Sequence, residues 1–418
     1  MTSPPPYSPS GPLSPFLLAK LRALVALFLA DERISADRLF QDYCVRHRLG
    51  SQTRRDLSSL FYDFLRHYWP CWYIAQKDAA QQGRNSGDFF IEIFTQKIRG
   101  QKSLPAVPPW AEANMPPDLW ELWVRAFGSE EDALQEAAAL CTEAPLDLRV
   151  NTFAFSKSFV VRELCADGFL VDEIPHTAAG LRLSKRAPLQ RHPLSKKGAF
   201  EIQDAGSQRV AHFCLLPWGA EEKEKHKKDF SLLDYCAGGG GKALAFLNEL
   251  KHGTLTLTDI SAVRLARAQK RFARLPGALN QVRFVSLPDL AGAFDLVVVD
   301  APCSGLGTLR RNPDKTLRLH KEDVEDFAKK QKEILSQAAP FVKQGGFLAY
   351  ITCSLLQEEN EDVVEDFLLQ RSAFSLAKIE NEEARSHEPY LGRNRSFLKL
   401  SPYQTYTDGF FAVLLKRE

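Results

Sequence analysis

From Phe16 to about Cys141 the apolar positions recur at spacings of three and four residues, the period of an amphipathic helix. LLAKLRALVALFLA, ADRLFQDYCVRH and SQTRRDLSSLFYDFLRHYW carry it first, and PPDLWELWVRAF and SEEDALQEAAALC resume it beyond Pro105, Pro108 and Pro109. Ser51 is the expected N-cap of the third helix. At Pro145 the period changes. LDLRVN alternates like a strand, SKSFVVRELCADG reads as a helix closed by Gly168, and FLVDEI, LRLS and AFEIQD read as further short strands. Beyond a mixed charge run, Glu221–Asp229, expected as a solvated loop, strands rich in Leu, Val and Ile alternate with helices: FSLLDY, KALAFLNEL, TLTLTD, AVRLARAQKRFARL, VRFVS, DLVVVD, VEDFAKKQKEILSQAAPFV, GGFLAYIT and EENEDVVEDFLL. Strands apolar throughout are buried on both faces, which predicts a doubly wound, parallel sheet of Rossmann type. TDGFFAVLLKRE is expected to add an antiparallel edge. The pattern divides the chain into a disordered tail (1–13), an all-α module (14–144), a small α/β module (145–199) and an α/β domain (200–418).

Composition narrows the class. A chain of 418 residues suggests two to three domains, and 44% apolar with 25% charged residues is ordinary for a soluble globular protein. The net charge of +2 argues against a protein that coats nucleic acid without specificity, while leaving room for local basic patches. The eight cysteines contain no C-x-x-C pair, so neither a zinc site nor a secreted disulfide framework is expected. The Pro/Ser-rich start lacks a basic n-region, and Phe16–Ala30 is too short to span a bilayer and carries Lys20 and Arg22. A cytoplasmic, metal-free monomer with no membrane partner is the expectation.

In an open α/β sheet, ligands bind beyond the carboxyl ends of the strands, so the residues just after each strand carry the chemistry. The first strand of the large domain runs into Asp234-Tyr-Cys236-Ala237-Gly238-Gly239-Gly240-Gly241-Lys242, a glycine-rich turn opening a helix. A phosphate-binding P-loop fails here, because Cys236 stands where the first Gly belongs and Ala243 where Ser or Thr belongs. A dinucleotide and S-adenosylmethionine both fit, each offering a ribose to Asp259 at the end of the next strand. DLVVVD ends in Asp300-Ala-Pro-Cys303-Ser-Gly, and FLAYIT ends in Thr352-Cys353-Ser. Two thiols and a carboxylate beside a methyl donor suit one chemistry in particular. Carbon 5 of a pyrimidine is a poor nucleophile until a thiolate adds at carbon 6 and makes it enamine-like. An acid near the ring can then share a proton with N3, and a second thiol can assist when the first is eliminated. A nicotinamide oxidoreductase gives this set no comparable role.

DYCAGGGGK, TDIS, DAPCSGLGTLRRNPD, YITCSLLQEENEDVVEDFL and TDGFF together resemble the motifs of the RsmB/Nop2/Sun family of RNA cytosine-5 methyltransferases, over about Phe200 to Glu418. The resemblance implies a class I methyltransferase fold using S-adenosylmethionine. It implies Cys353 as nucleophile, Cys303 in product release, Asp300 against the base and near the cofactor, and Lys242 towards the substrate. It implies Cys236, Ala237, Gly238, Gly239, Gly240, Gly241 and Lys242 as the cofactor cradle, with Asp259 on the ribose and Arg264 beside it. The N-terminal helices resemble the NusB-like RNA-binding module of bacterial members, and 145–199 their small RRM-like unit. That architecture implies RNA as partner, with 16S ribosomal RNA as the substrate. Two departures stand out. The family has Ala-Pro where this chain has Gly238-Gly239, and the acid after the third strand is replaced by Ser286 or Leu287, with Asp289 nearby. The first motivates the alternative of a catalytically inactive RNA-binding or ribosome assembly factor that keeps the fold. For RNA contacts, Arg310 and Arg311 follow the Cys303 loop, and Arg182 to Lys197 forms a second basic stretch without an acid. Tyr68, Trp69, Trp72 and Tyr73 are expected to pack in a helical core rather than stack on bases.

Overall fold

The computed structural model describes residues 13–31, 33–82, 90–99, 106–185, 187–218, 230–250, 253–379 and 396–418. The expected tail and the charge run 221–229 lie outside these. Two compact units emerge: Met1–Glu143 with Thr308–Asp323, and Ala144–Gly307 with Val324–Glu418.

The first unit is helical: α1 (Pro15–Ala30), α2 (Ala36–Arg46), α3 (Ser51–Arg66), α4 (Tyr68–Gln82), α5 (Phe90–Ile93, continued as a π turn), α6 (Pro109–Glu112), α7 (Pro117–Phe127) and α8 (Glu130–Leu140). Side-chain oxygens of Ser14, Ser35 and Ser129 accept from the backbone of Leu17, Arg38 and Asp132, starting α1, α2 and α8. Ser51 departs from expectation: it is the first residue inside α3, and Gly50 is the cap, without a side-chain bond. The core gathers Leu21, Leu24 and Phe28 of α1, Phe40 of α2 and Leu57, Phe61 and Phe64 of α3. Trp69, Trp72 and Tyr73 pack edge-on against Trp110, at centroid distances of 6.1, 6.3 and 5.9 Å.

Thr308–Asp323 belongs to this unit, although the sequence pattern put it in the α/β domain. Asp314 Oδ2 accepts from Ala36 N at 3.1 Å, completing the N-terminus of α2. Trp69 Nε1 donates to Thr316 O at 3.3 Å, Arg66 donates to Arg310 O at 3.0 Å, and the Arg318 guanidinium lies 4.5 Å from the centre of the Phe28 ring.

The second unit contains two sheets. The smaller is built from β1 (Leu146–Val150), α9 (Lys157–Ala166), β2 (Val171–Glu173), β3 (Gly180–Leu183), α10 (Pro193–Lys196) and β4 (Phe200–Ile202). Its antiparallel order is β2-β3-β1-β4, with β1 central and buried at all five positions. α11 (Ala205–Phe213) leads to the larger sheet: β5 (Ser231–Asp234), α12 (Gly241–Glu249), β6 (Thr254–Leu257), α13 (Ala262–Phe272), β7 (Val282–Phe284), β8 (Phe294–Asp300), α14 (Lys321–Ala338), β9 (Val342–Thr352), α15 (Glu361–Gln370), β10 (Phe374–Leu376), β11 (Phe397–Leu400), α16 (Pro402–Thr405) and β12 (Phe410–Arg417). The order is β10-β12-β9-β8-β5-β6-β7, with β11 added against β12. β9-β8-β5-β6-β7 are parallel, and β12 pairs antiparallel with β9, so the terminal segment sits inside the sheet between β9 and β10. Apolar clusters cover both faces, one around Phe246, Phe272 and Val298, the other around Val299, Leu335 and Tyr350. This is a mixed α/β sheet of Rossmann-like topology.

Candidate functional site

The parallel register sets the site. β8 and β9 pair Asp300 with Ile351, so the chain leaves both strands at the same rim and continues into Cys303 and Cys353. The two sulfurs lie 3.3 Å apart, and Cys353 N donates to Cys303 Sγ at 3.3 Å. The hydrogen-bonded Cys353 sulfur and then burial raise the Cys303 thiol well above its ordinary value, so Cys303 carries its proton at neutral pH. Lys242, in the first turn of α12, donates to Asp300 Oδ2 at 2.7 Å and lies 5.0 Å from the centre of the Phe410 ring. Burial opposes the ammonium charge of Lys242, but the Asp300 carboxylate outweighs it and raises the pKa above its ordinary value. Lys242 is therefore a fixed cation rather than a base.

The loop between β5 and α12 is shaped by glycine. Gly238 and Gly240 hold φ of +54° and +78°, in the left-handed region. A Cβ at Gly240 would lie 3.0 Å from Phe272 and 3.1 Å from Ala268, whereas at Gly238 it would meet nothing within 4 Å. The loop thus packs tightly on α13 at one end and is open where a ligand would approach. Asp259 is buried, and its carboxylate organises the loop: Oδ2 accepts from Gly238 N at 2.8 Å, while Oδ1 accepts from Ser261 N at 2.7 Å and Arg264 Nε at 3.0 Å. A ribose would share Oδ2 or displace the half-exposed Arg264 side chain. Burial pushes the Asp234 carboxyl up to about 8, with Asp300 adding to the shift. Its Oδ1 is buried without a partner among the described residues. Burial likewise raises the Cys236 thiol, which stays neutral.

Several organising residues carried no role in the sequence reading. Glu359 and Asn360, which precede α15, are fully buried. Glu359 accepts from Ser304 N at 2.8 Å, Ser304 Oγ at 2.5 Å and Gln331 Nε2 at 3.0 Å, so it holds the loop carrying Cys303. Asn360 accepts from Thr352 Oγ1 at 2.5 Å and donates to Ser354 O at 3.1 Å, so it holds the loop carrying Cys353. The sequence hid them, because they are the third and fourth of six consecutive polar residues, Gln357 to Asp362, a run that reads as solvated. Gly307 and Gly409 lock the same loops: Gly409 N donates to Gly307 O at 2.7 Å, and Gly307 N to Cys353 O at 2.9 Å. At the glycine loop, Arg271 Nη1 donates to Gly239 O at 3.1 Å and Nη2 to Glu201 at 2.8 Å. Gln203 donates to Gly241 O at 3.2 Å and accepts from the buried Arg149 at 2.5 Å.

The sequence-derived site residues divide accordingly. Cys353, Cys303, Asp300 and Lys242 gather at the rim; Cys236, Ala237, Gly238, Gly239, Gly240 and Gly241 form the adjoining loop, which Asp259 bonds from beyond β6 while Arg264 bonds Asp259. Arg310 is a correction: it is 1% exposed within the helical unit, which removes its side chain from the phosphate-contact role, while Arg311 is partly exposed. Arg182 is engaged by Asp147 at 2.7 and 2.9 Å. Among the described residues no group of three or more His, Cys, Asp or Glu side chains can hold a metal ion. No described helix is long and apolar enough to cross a membrane.

Comparison with known proteins points in one direction. Residues 222–416 match the family model described as 16S rRNA methyltransferase RsmB/F. A ribosomal RNA small subunit methyltransferase B from Xanthomonas campestris pv. campestris is 31% identical over 307 residues, 71% of this chain and 66% of that one. A probable ribosomal RNA small subunit methyltransferase B from Bacillus subtilis is 29% identical over 73% of this chain and 67% of its own length. The chain thus aligns with about two thirds of these relatives. Among solved structures, NSun6 from Pyrococcus horikoshii with SFG has a TM-score of 0.61 at 20% identity, over 72% of this chain and 98% of that one. That likeness carries the fold.

Proposed function

The chain belongs to the RsmB/F family of methyltransferases, and from that premise we propose that it transfers a methyl group from S-adenosylmethionine to carbon 5 of a cytosine in small-subunit ribosomal RNA. The observation that carries the reading is the pair of thiols 3.3 Å apart beside the Lys242–Asp300 ion pair. The named activities of the relatives support RNA as the substrate, and the β-α-β-β-α-β order of the small sheet supports an RRM-like module.

The loop fits the methyl donor. Gly238 leaves open space at its Cα, Asp259 lies at the end of the next strand, and the first turn of α12 points N–H groups at the loop. Cys236–Lys242, Asp259, Arg264 and Asp300 would hold S-adenosylmethionine, which when bound supplies an electrophilic methyl group. The Cys353 thiolate adds to carbon 6, and the electron pair thereby released reaches carbon 5, which takes the methyl. Asp300, held by Lys242, contacts the base edge, and the Lys242 ammonium faces the negative charge that develops on the ring. Cys303 then donates its proton to the departing Cys353 sulfur. As the resulting thiolate it takes the carbon-5 proton, and the ring double bond re-forms.

The test is a pair of variants. Cys353→Ala is expected to abolish both methyl transfer and adduct. Cys303→Ala is expected to accumulate a covalent protein–RNA adduct that survives denaturing electrophoresis. Normal turnover in both would sink the mechanism. A second reading, an assembly factor without activity, draws on Gly238-Gly239 and on the hydrogen bonds already satisfying Asp259. Absence of calorimetric binding of S-adenosylmethionine to the wild type would favour it.

A further inference from the structure

Two basic stretches that are far apart in sequence adjoin in the second unit. Residues 262–288 contain Arg264, Arg267, Lys270, Arg271, Arg274 and Arg283 and no acid. α13 buries Ala268 and Phe272 towards the sheet, which turns Arg267 and Lys270 outwards, and Arg274, two residues past the helix end, is exposed as well. The other stretch ends at α10 with Lys196 and Lys197. Gly198, at φ +76°, brings it against the end of α13: a Cβ there would stand 3.1 Å from Leu275 and 3.3 Å from Arg274. Arg274 Nη1 also reaches Ser195 O at 3.4 Å.

Most of the charges on this surface are not matched. Lys196, Lys197, Arg267 and Lys270 are exposed and have no ion pair among the described residues. Glu201 is bonded to the surface, but both its oxygens are engaged by Arg271 and Arg274. The helix dipole accounts for Lys270 and Arg271, which lie in the last turn of α13. It does not account for Arg267, nor for two lysines on another element. Like charges gathered this way repel one another unless a polyanion lies across them. Arg271, in the same row, bonds Gly239 of the cofactor loop, so the surface runs up to the site.

We propose that Lys196, Lys197, Arg267, Lys270 and Arg274 form a track for the phosphate backbone of RNA. It rests on the RNA reading above and adds where the strand lies. Such contacts set the register of the strand without reading its sequence.

The test measures fluorescence anisotropy with a labelled single-stranded RNA oligonucleotide and with a small-subunit ribosomal RNA transcript, as potassium chloride is raised. The variant combines Lys196→Ala, Lys197→Ala, Arg267→Ala and Lys270→Ala, leaving the packed Arg274 in place. Each phosphate contact to a single strand contributes about 0.7 to the slope of log affinity against log salt, so the slope is expected to fall by about 2 to 3. At low salt the affinity is expected to drop by at least about tenfold. Lys329→Ala with Lys330→Ala, exposed charges on α14, is the control and is expected to leave the slope unchanged. An unaltered slope in the fourfold variant, or an equal fall in the control, overturns the track. Unchanged RNA affinity with lost binding to an acidic ribosomal protein overturns it in favour of a protein partner. A wild type that does not bind RNA at all refutes the RNA reading itself, a different failure from that of the track.

Discussion

Arg271→Ala tests how this chain holds the proposed cofactor loop, in which Gly238-Gly239 stands where the resemblance implies Ala-Pro. Two consecutive glycines leave Gly238-Gly239 with far more conformational freedom in the absence of a ligand, and each glycine costs about 0.5–1 kcal/mol to order relative to alanine. Arg271 opposes that freedom from outside. Its guanidinium bonds the Gly239 carbonyl at 3.1 Å and is anchored by Glu201 at 2.8 Å, with the side chain 27% exposed. A hydrogen bond from a charged donor contributes about 1.5–3 kcal/mol, and partial exposure places this one at the lower end. Loss of about 1–2 kcal/mol from a loop that must be ordered to bind corresponds to a roughly 5- to 30-fold weaker dissociation constant for S-adenosylmethionine. Isothermal titration calorimetry measures it, and the loss should appear mainly as a less favourable entropy of binding.

A second arm separates ordering from charge. Gly239 lies outside the left-handed region, and its N–H has no hydrogen-bond partner among the described residues. A Cβ there would meet only the tip of Arg271, at 3.9 Å. Proline at 239 is therefore expected to recover part of the affinity in the Arg271→Ala background, because it restricts the loop before the ligand arrives. Unchanged affinity in Arg271→Ala would refute the brace. Loss without any recovery on Gly239→Pro would refute the claim that the brace acts by ordering the loop.

Two further outcomes are expected. Asp234 carries a carboxyl raised from its ordinary value near 3.8 to about 8, so between those values the folded state binds a proton that the unfolded state does not; stability from this group is whole below about 4 and falls as pH rises towards 8. Asp234→Asn should flatten the decline of melting temperature over that window, and superimposable curves would contradict the assignment. Glu359→Gln puts an amide donor among the Ser304 N–H, Ser304 hydroxyl and Gln331 donors. It should cost about 1–3 kcal/mol in denaturant unfolding and lower kcat more than RNA affinity, since it misplaces the Cys303 loop without touching RNA; an equal loss in both quantities would make its role merely structural.

What the sequence made legible is what local pattern encodes. The parallel strands were readable because Leu, Val and Ile recur along each, and the candidate site groups because each follows such a strand. DLVVVD delivers Asp300 and Cys303, FLAYIT delivers Cys353, and FSLLDY delivers the glycine loop. The placement of 308–323 was not readable, since nothing in RRNPDK says that Asp314 completes the N-terminus of a helix that begins at Ala36, nearly three hundred residues earlier. The same non-local bonding hid Arg310 in the helical unit, where its charge had suggested a surface. Charge in a sequence reports exposure only on average.

The residues that set the distance between the two sulfurs were the hardest to see, for a physical reason. A thiol pair 3.3 Å apart has to be held by groups that contact both loops. The pairing of β8 with β9 ends at Asp300 and Ile351, and one further bond, from Ala301 N to Ile351 O at 2.9 Å, follows before either cysteine. Past those points the backbone bonds of Gly307 and Gly409 are joined by two adjacent buried residues, Glu359 on the Ser304 side and Asn360 on the Thr352 and Ser354 side. Because the two are consecutive, one short turn before α15 fixes both loops in a single frame, and a shift of either residue moves one sulfur relative to the other. A buried carboxylate held only by neutral donors is expensive to desolvate. Its presence here is accounted for by the need to fix two reactive loops at a separation that apolar packing, which lacks direction, does not specify.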